Sequence, residues 1–290
     1  MNNKFLTCIF LALVIPISSG VWAFSGFKFS PKNEDSRFTD VYVLLAETYI
    51  SHGNYTKAKK FLLDAIRFDP EDTKARFDLG LIYEISNDYR GAISEYEKIL
   101  TIEPDNKEVN YYIGLLYDRV EQKDKALKYL EKAVNLMPYN AAVYYDIGVI
   151  YARENDYKGS VYYNEKSIEL NPDFAEAYNN LCYAQANIGE HDKAFENCKK
   201  AVEKTPDSAP ALDSLGYVYF KLGKYPEAIE YYKKAITIDP EISEVYLHIG
   251  EAYEKMENRQ EAINYYKKYV EKEPNPENIK EVKSVIGRLK

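Results

Sequence analysis

The sequence predicts an all-α array of repeated helix hairpins, closed at its carboxyl end by one further helix. Three observations carry that reading: a proline period, columns of small residues in register with it, and a helical stripe of large apolar residues. Seven prolines, Pro70, Pro104, Pro138, Pro172, Pro206, Pro240 and Pro274, recur at intervals of 34 residues. Proline lacks a backbone N–H and its ring collides with the preceding turn, so an even series marks seven helix ends in register. With each proline at position 32, the repeats span 39–72, 73–106, 107–140, 141–174, 175–208, 209–242 and 243–276.

Within each repeat the first helix carries two columns. Position eight reads Ala46, Gly80, Gly114, Gly148, Cys182, Gly216 and Gly250, and position eleven reads Tyr49, Tyr83, Tyr117, Tyr151, Gln185, Tyr219 and Tyr253. The second helix carries a third column at position twenty: Ala58, Ala92, Ala126, Ser160, Ala194, Ala228 and Ala262. Antiparallel helices approach closely only where the side chains between them are small, so the Gly and Ala columns are expected to face each other. Position seven supplies Leu45, Leu79, Ile113, Ile147, Leu181, Leu215 and Ile249, which with the tyrosines forms a stripe that each hairpin buries against its neighbours. Turn signals fall between the two helices at His52-Gly53-Asn54, Asn87-Asp88, Asn155-Asp156, Gly189-Glu190 and Gly223-Lys224. One hairpin cannot hide such a surface, but a stack of seven does.

The two ends differ from the array. Residues 277–290 lack the repeat signature, yet Ile279, Val282, Ile286 and Leu289 follow helical spacing among charged residues, as a solvating capping helix would. At the amino end, Lys4 precedes an apolar run from Phe5 to Ile17, then Ser18-Ser19-Gly20 and Val21-Trp22-Ala23. This is the layout of a secretory signal peptide, residues 1–23, cleaved before Phe24. The alternative is an uncleaved anchor over residues 5–24, which have about the length of a bilayer span. Residues 24–38 read as a linker.

The period together with the Gly, Tyr, Ala and Pro columns resembles the tetratricopeptide repeat family, as in Asp213-Ser-Leu-Gly-Tyr-Val-Tyr219 followed by Ala228 and Pro240. The resemblance covers residues 39–276 and implies a right-handed α-solenoid superhelix of seven helix-turn-helix repeats, its first helices lining a concave surface. Departures cluster where Ser160, Asn164 and Ser167 polarise the fourth repeat's second helix, and where Cys182, Gln185 and Cys198 alter the fifth.

Charge and chemistry narrow the function. The formal net charge is −8, and removing residues 1–23 takes away Lys4 and no acid, leaving −9. Such a surface repels nucleic-acid phosphates, so nucleic-acid partners are not expected. The three histidines, His52, His191 and His248, fall at unrelated repeat positions, and no phosphate-binding loop or nucleophile motif occurs. No enzymatic activity, cofactor or metal is expected. An exported chain would retain Cys182 and Cys198, one on each helix of the fifth repeat. They face one inter-helix seam with an expected offset of about one turn. A disulfide in an oxidising compartment and two buried thiols are both open readings.

Recognition remains. The family resemblance turns positions five and nine of the first helices toward the hollow. These supply Phe77, Leu81, Tyr111, Leu115, Tyr145, Val149, Tyr183 and Tyr217, the candidate peptide-binding groove. Acids such as Asp78, Glu84, Asp118 and Asp146 outnumber groove bases such as Lys74, Arg119 and Arg153. The family's carboxylate clamp needs Lys at position five and Asn at position nine, where this chain has Val43 and Glu47, so a chaperone-tail adaptor is not expected. Aromatic anchors beside polar residues suit a protein interface, and the acidic border suits a basic-apolar segment. The expectation is an exported, bacterial periplasmic scaffold that binds a peptide or protein segment in its groove. The alternative is a structural subunit of a cell-envelope machine (pilus, secretion or polysaccharide export), membrane-anchored by residues 5–24 if these are uncleaved, with its repeats outside the cytoplasm.

Overall fold

The computed structural model describes residues 34–290, with side chains from Thr39 onward. The signal segment 1–23 therefore lies outside the described residues. The described residues form seven hairpins: α1 (Glu34–Ser51) with α2 (Tyr55–Phe68), α3 (Thr73–Ile85) with α4 (Tyr89–Ile102), α5 (Lys107–Arg119) with α6 (Lys123–Leu136), and α7 (Ala141–Arg153) with α8 (Tyr157–Leu170). They continue as α9 (Ala175–Asn187) with α10 (His191–Lys204), α11 (Ala209–Lys221) with α12 (Tyr225–Ile238), and α13 (Ser243–Lys255) with α14 (Arg259–Lys272), before α15 (Pro276–Leu289). Each second helix packs on the next first helix, and successive first helices from α5 to α13 also touch, building a right-handed α-solenoid.

The linker expected at 24–38 is corrected at its end, because α1 already begins at Glu34. No Gly or Pro stands between Pro31 and Gly53 to stop the helix. The seven prolines act as expected. Each second helix ends two residues earlier, and the residue before each proline has left the helical region, with ψ from 61° at Met137 to 120° at Glu273.

Position fifteen of every repeat has positive φ: Gly53, Asn87, Glu121, Asn155, Gly189, Gly223 and Glu257, between 57° and 84°. This left-handed residue closes each first helix and turns the chain into the second. Glu121 and Glu257 adopt it at a cost of about 1 kcal/mol relative to glycine, because their Cβ crowds the following carbonyl. Neither carries a turn signal in the sequence.

The seam inside each hairpin differs from expectation. The glycine column packs most closely on position twenty-four, and the alanine column meets it only through its backbone, as at Ala228 O, 3.2 Å from a Cβ on Gly216. A Cβ on Gly216 would lie 2.6 Å from ring carbons of Tyr232, and one on Gly114 would lie 2.7 Å from Leu130. The same pairing sets Gly250 beneath Tyr266. The glycines thus make room for one large side chain rather than for a second small one. The Tyr96 and Tyr266 rings are buried there, with hydroxyls donating to Glu84 and Glu254, each at 2.6 Å. Burying such a ring contributes about 2–3 kcal/mol.

A second seam pair joins position eleven to position twenty-three. Tyr49 stacks on Phe61, Tyr117 on Tyr129, Tyr151 on Tyr163, Tyr219 on Tyr231 and Tyr253 on Tyr265, with centroids 5.3–5.6 Å apart. Repeat five departs at both pairs together. Cys182 faces Cys198, and Asn197 Nδ2 donates to Gln185 Oε1 at 2.8 Å where other repeats stack rings. The expected one-turn offset of the cysteines is corrected. They occupy the Gly216–Tyr232 pair of positions, with Cα atoms 5.2 Å apart, inside the span of a disulfide. In repeat four Ser160, Asn164 and Ser167 are all fully buried, with Asn164 Nδ2 donating to the Ser160 carbonyl and the Ser167 hydroxyl to the Ala141 carbonyl.

The position-seven stripe is buried from the second repeat onward, but Leu45 on α1, the first helix among the described residues, is 38% exposed. At the other end Val282 and Ile286 of α15 are buried against the last repeat.

Candidate peptide-binding groove

First helices present one face to the second helices, leaving positions five, six, nine, twelve and thirteen on the hollow side. All eight candidate residues, Phe77, Leu81, Tyr111, Leu115, Tyr145, Val149, Tyr183 and Tyr217, keep part of their surface open there.

The aromatic strip resolves into three groups. Phe77 meets Tyr112 edge-on at 5.6 Å, and Tyr112 leans on Tyr111 at 5.8 Å. Tyr145 packs on Phe174 at 4.8 Å. Tyr183 lies between Tyr157 at 6.1 Å and Tyr217 at 5.3 Å, and Tyr217 continues to His248 at 6.1 Å. Tyr112, Phe174 and Tyr157 lie outside the eight candidates. Tyr112 sits in the position-six column, whereas Phe174 precedes α9 and Tyr157 opens α8, outside any first-helix column.

A ladder ties neighbouring repeats together along the hollow. It joins position five of one repeat to position six of the next. The Tyr111 hydroxyl donates to Asp146 Oδ2 at 2.6 Å, and His248 Nδ1 meets Asp213 Oδ1 at 2.8 Å. Positions twelve and thirteen repeat the pattern, with the Arg153 guanidinium on the Asp118 carboxylate. Part of each groove aromatic is therefore committed to the scaffold, and the remainder faces the hollow.

The groove carboxyls hold their protons unusually well. Burial pushes Asp146 up to about 6, against the opposing hydrogen bond from Tyr111. It pushes Asp78 up to about 7, where Lys74 opposes and Glu47 and Asp72 reinforce. Asp78 Oδ2 is buried without a hydrogen-bond partner. Burial likewise raises Glu84 and Glu251. At His248 burial disfavours the cation, but Asp213, with Glu251 and Glu244 behind it, outweighs burial and raises the ring above its ordinary value.

Among the described residues no cluster of His, Cys, Asp and Glu could hold a metal ion, and no helix is long and apolar enough to cross a membrane.

Comparison with known proteins bears on the same architecture. Tetratricopeptide repeat family models match residues 43–107, 108–140, 141–174, 163–196, 197–230 and 243–276, and a TPR repeat model matches 216–257. A search of curated proteins finds no match. Among solved structures, a tetratricopeptide repeat protein from Parabacteroides merdae ATCC 43184 is 19% identical over 85% of this chain and 97% of its own, with a TM-score of 0.72. MamA is 30% identical over 60% of this chain and 96% of its own, with a TM-score of 0.53. PilW, described as a type IV pilus biogenesis factor, is 22% identical over 72% of this chain and 97% of its own, with a TM-score of 0.63. The matched windows 108–140, 141–174 and 243–276 end at Asn140, Phe174 and Pro276, the repeat boundaries that the proline period sets. With those boundaries, the paired seams and a left-handed turn repeated seven times among the described residues, the chain belongs to the tetratricopeptide repeat family.

Proposed function

We propose that this chain is an exported scaffold whose concave groove binds a segment of another protein, one that carries apolar anchors with Lys or Arg between them. The observation that carries the reading is the groove itself: eight apolar or aromatic side chains on five successive first helices stay partly open, while the position-seven residues of the same helices, Leu79, Ile113, Ile147, Leu181 and Leu215, are buried. Open apolar surface of that kind marks interaction sites. Glu84, Asp146 and Glu251 border it and, once ionised, would favour a basic partner. The Lys4, Phe5–Ile17 and Val21-Trp22-Ala23 order supports export to a bacterial periplasm with cleavage before Phe24.

Crosslinking in the native cell followed by mass spectrometry tests the reading, with amino-terminal sequencing of the same material. Crosslinks from first-helix positions to one extracytoplasmic protein, and a terminus at Phe24, are expected. Crosslinks confined to second helices would instead make the chain a structural subunit held by its outer faces, and an intact Met1 in a membrane fraction would make residues 5–24 an anchor.

A further inference from the structure

The ring pair between positions eleven and twenty-three is stacked in five repeats. In repeat two it is replaced by an occupied charge site: Glu95 takes Arg76 at 2.8 Å and Lys98 at 2.7 Å, while Lys59 sits over the Tyr83 ring. Repeat five has neither filling. Gln185 and Asn197 are too small to replace two rings, and a cleft of about 570 Å³ opens there on the outer side, between α8 and α10 with α9 as its floor.

The floor is apolar, formed by Ile168, Tyr178 and Leu181. Gln185 also lines it although only 1% exposed; its Oε1 accepts from Asn197, and no hydrogen bond among the described residues engages its Nε2. The Gln185 amide at the cleft wall thus keeps a donor that a ligand's acceptor could engage. The rim is acidic. Glu165, Glu169, Asp192 and Glu196 stand against Lys193 and Lys200. Those two lysines are engaged, Lys193 with Glu190 at 3.0 Å and Lys200 over the Tyr178 ring at 5.4 Å. Among the described residues, Glu165 and Asp192 have no ion-pair partner. Beside the cleft, Cys182 and Cys198 face each other across the α9–α10 seam with Cα atoms 5.2 Å apart.

We propose that this cleft is a second recognition site, separate from the groove, which takes one aromatic side chain of a protein segment flanked by Lys or Arg. The inserted ring occupies the place that a tyrosine at position twenty-three fills in other repeats. The Gln185 Nε2 donates to a carbonyl of the segment, and Glu165 and Asp192 face its basic residues. The site does not depend on the groove reading, since its residues lie on the opposite side of α9.

The test is a nuclear magnetic resonance titration of the full mature chain with the blocked tetrapeptide Lys-Phe-Lys-Lys, and with Lys-Ala-Lys-Lys as its control. Saturable amide shifts at Leu181, Gln185 and Asn197 are expected with the first peptide and none with the second. Gln185→Tyr with Asn197→Tyr installs the ring pair of repeats three and four, and should weaken binding at least about tenfold while keeping the circular dichroism. If that variant does not fold, Glu165→Lys with Asp192→Lys, both at exposed carboxylates, should weaken binding by a similar factor. Absence of saturable shifts, shifts centred on Tyr183 and Tyr217 instead, or unchanged affinity in a folded variant would each overturn the proposal.

Discussion

Cys182 lies opposite Cys198 at the same pair of positions where Gly216 lies under Tyr232, with Cα atoms 5.2 Å apart. The seam between the two helices of a hairpin is thus filled in a different way in repeat five, by two matched side chains rather than by one ring over a glycine. In an exported protein these cysteines should be bonded. Closing a loop with a sequence separation of 16 contributes about 3 kcal/mol through the unfolded chain. Thiol titration of the denatured, unreduced mature protein should find no free thiol, and reduction should lower the melting temperature. Two titratable thiols would return the pair to ordinary core.

The glycine seam predicts a rescue. Gly216→Ala should destabilise by about 1–3 kcal/mol, because its Cβ would fall 2.6 Å from the Tyr232 ring. The first repeat places Ala46 with Leu62 at the same two positions, both fully buried. Adding Tyr232→Leu to Gly216→Ala should therefore cost less than the sum of the single changes. Thermal melts of the four proteins decide it, and strict additivity would contradict the pairing.

Left-handed glutamates offer the opposite effect. Glu121→Gly and Glu257→Gly should each stabilise by about 0.5–1 kcal/mol, since both residues sit at φ 59°. Gly223→Ala, at φ 74°, should lose about 1 kcal/mol although nothing lies within 4 Å to clash with the new methyl. Urea unfolding monitored by circular dichroism measures all three.

Much of the fold is legible in the sequence and some of it is not, for a physical reason. Proline and glycine act on their own backbone, so Pro70 to Pro274 and Gly53, Gly189 and Gly223 announce helix ends wherever they stand. Seam pairing is a relation between two columns. Read singly, the glycines at position eight match the small alanines at position twenty. Their true partner, position twenty-four, is hidden because that column is mixed in size and polarity, reading Leu62, Tyr96, Leu130, Asn164, Cys198, Tyr232 and Tyr266. Only the like pair Cys182 and Cys198 stands out. The Gln185–Asn197 pair, half of the outer cleft, is visible only as an altered tyrosine. In the groove the columns locate the eight side chains, while Phe174 and Tyr157 reach it from outside the first helices.

Asp78 ties the groove to pH. Its folded-state value is raised from 3.8 to about 7, so the neutral acid is the form the fold prefers. Its contribution is present below about pH 4 and is lost as pH rises through about 7. Asp78→Asn, which keeps the shape of the neutral acid, should be more stable than wild type at pH 8 by about 1–3 kcal/mol. That advantage should fade toward pH 5. A gap independent of pH would show that the carboxylate is better solvated than its buried Oδ2 implies.

The groove reading is tested most directly by calorimetric titration of the partner segment recovered by crosslinking against wild type, Tyr111→Phe, and Tyr111→Ala combined with Tyr145→Ala. The phenylalanine variant removes only the hydroxyl that donates to Asp146, so it separates loss of the inter-repeat hydrogen bond from loss of the ring. It should bind nearly as wild type does. The double alanine variant should bind more weakly by about 2–4 kcal/mol with its helicity retained. Equal affinities for wild type and a folded double variant would contradict recognition in the concave groove.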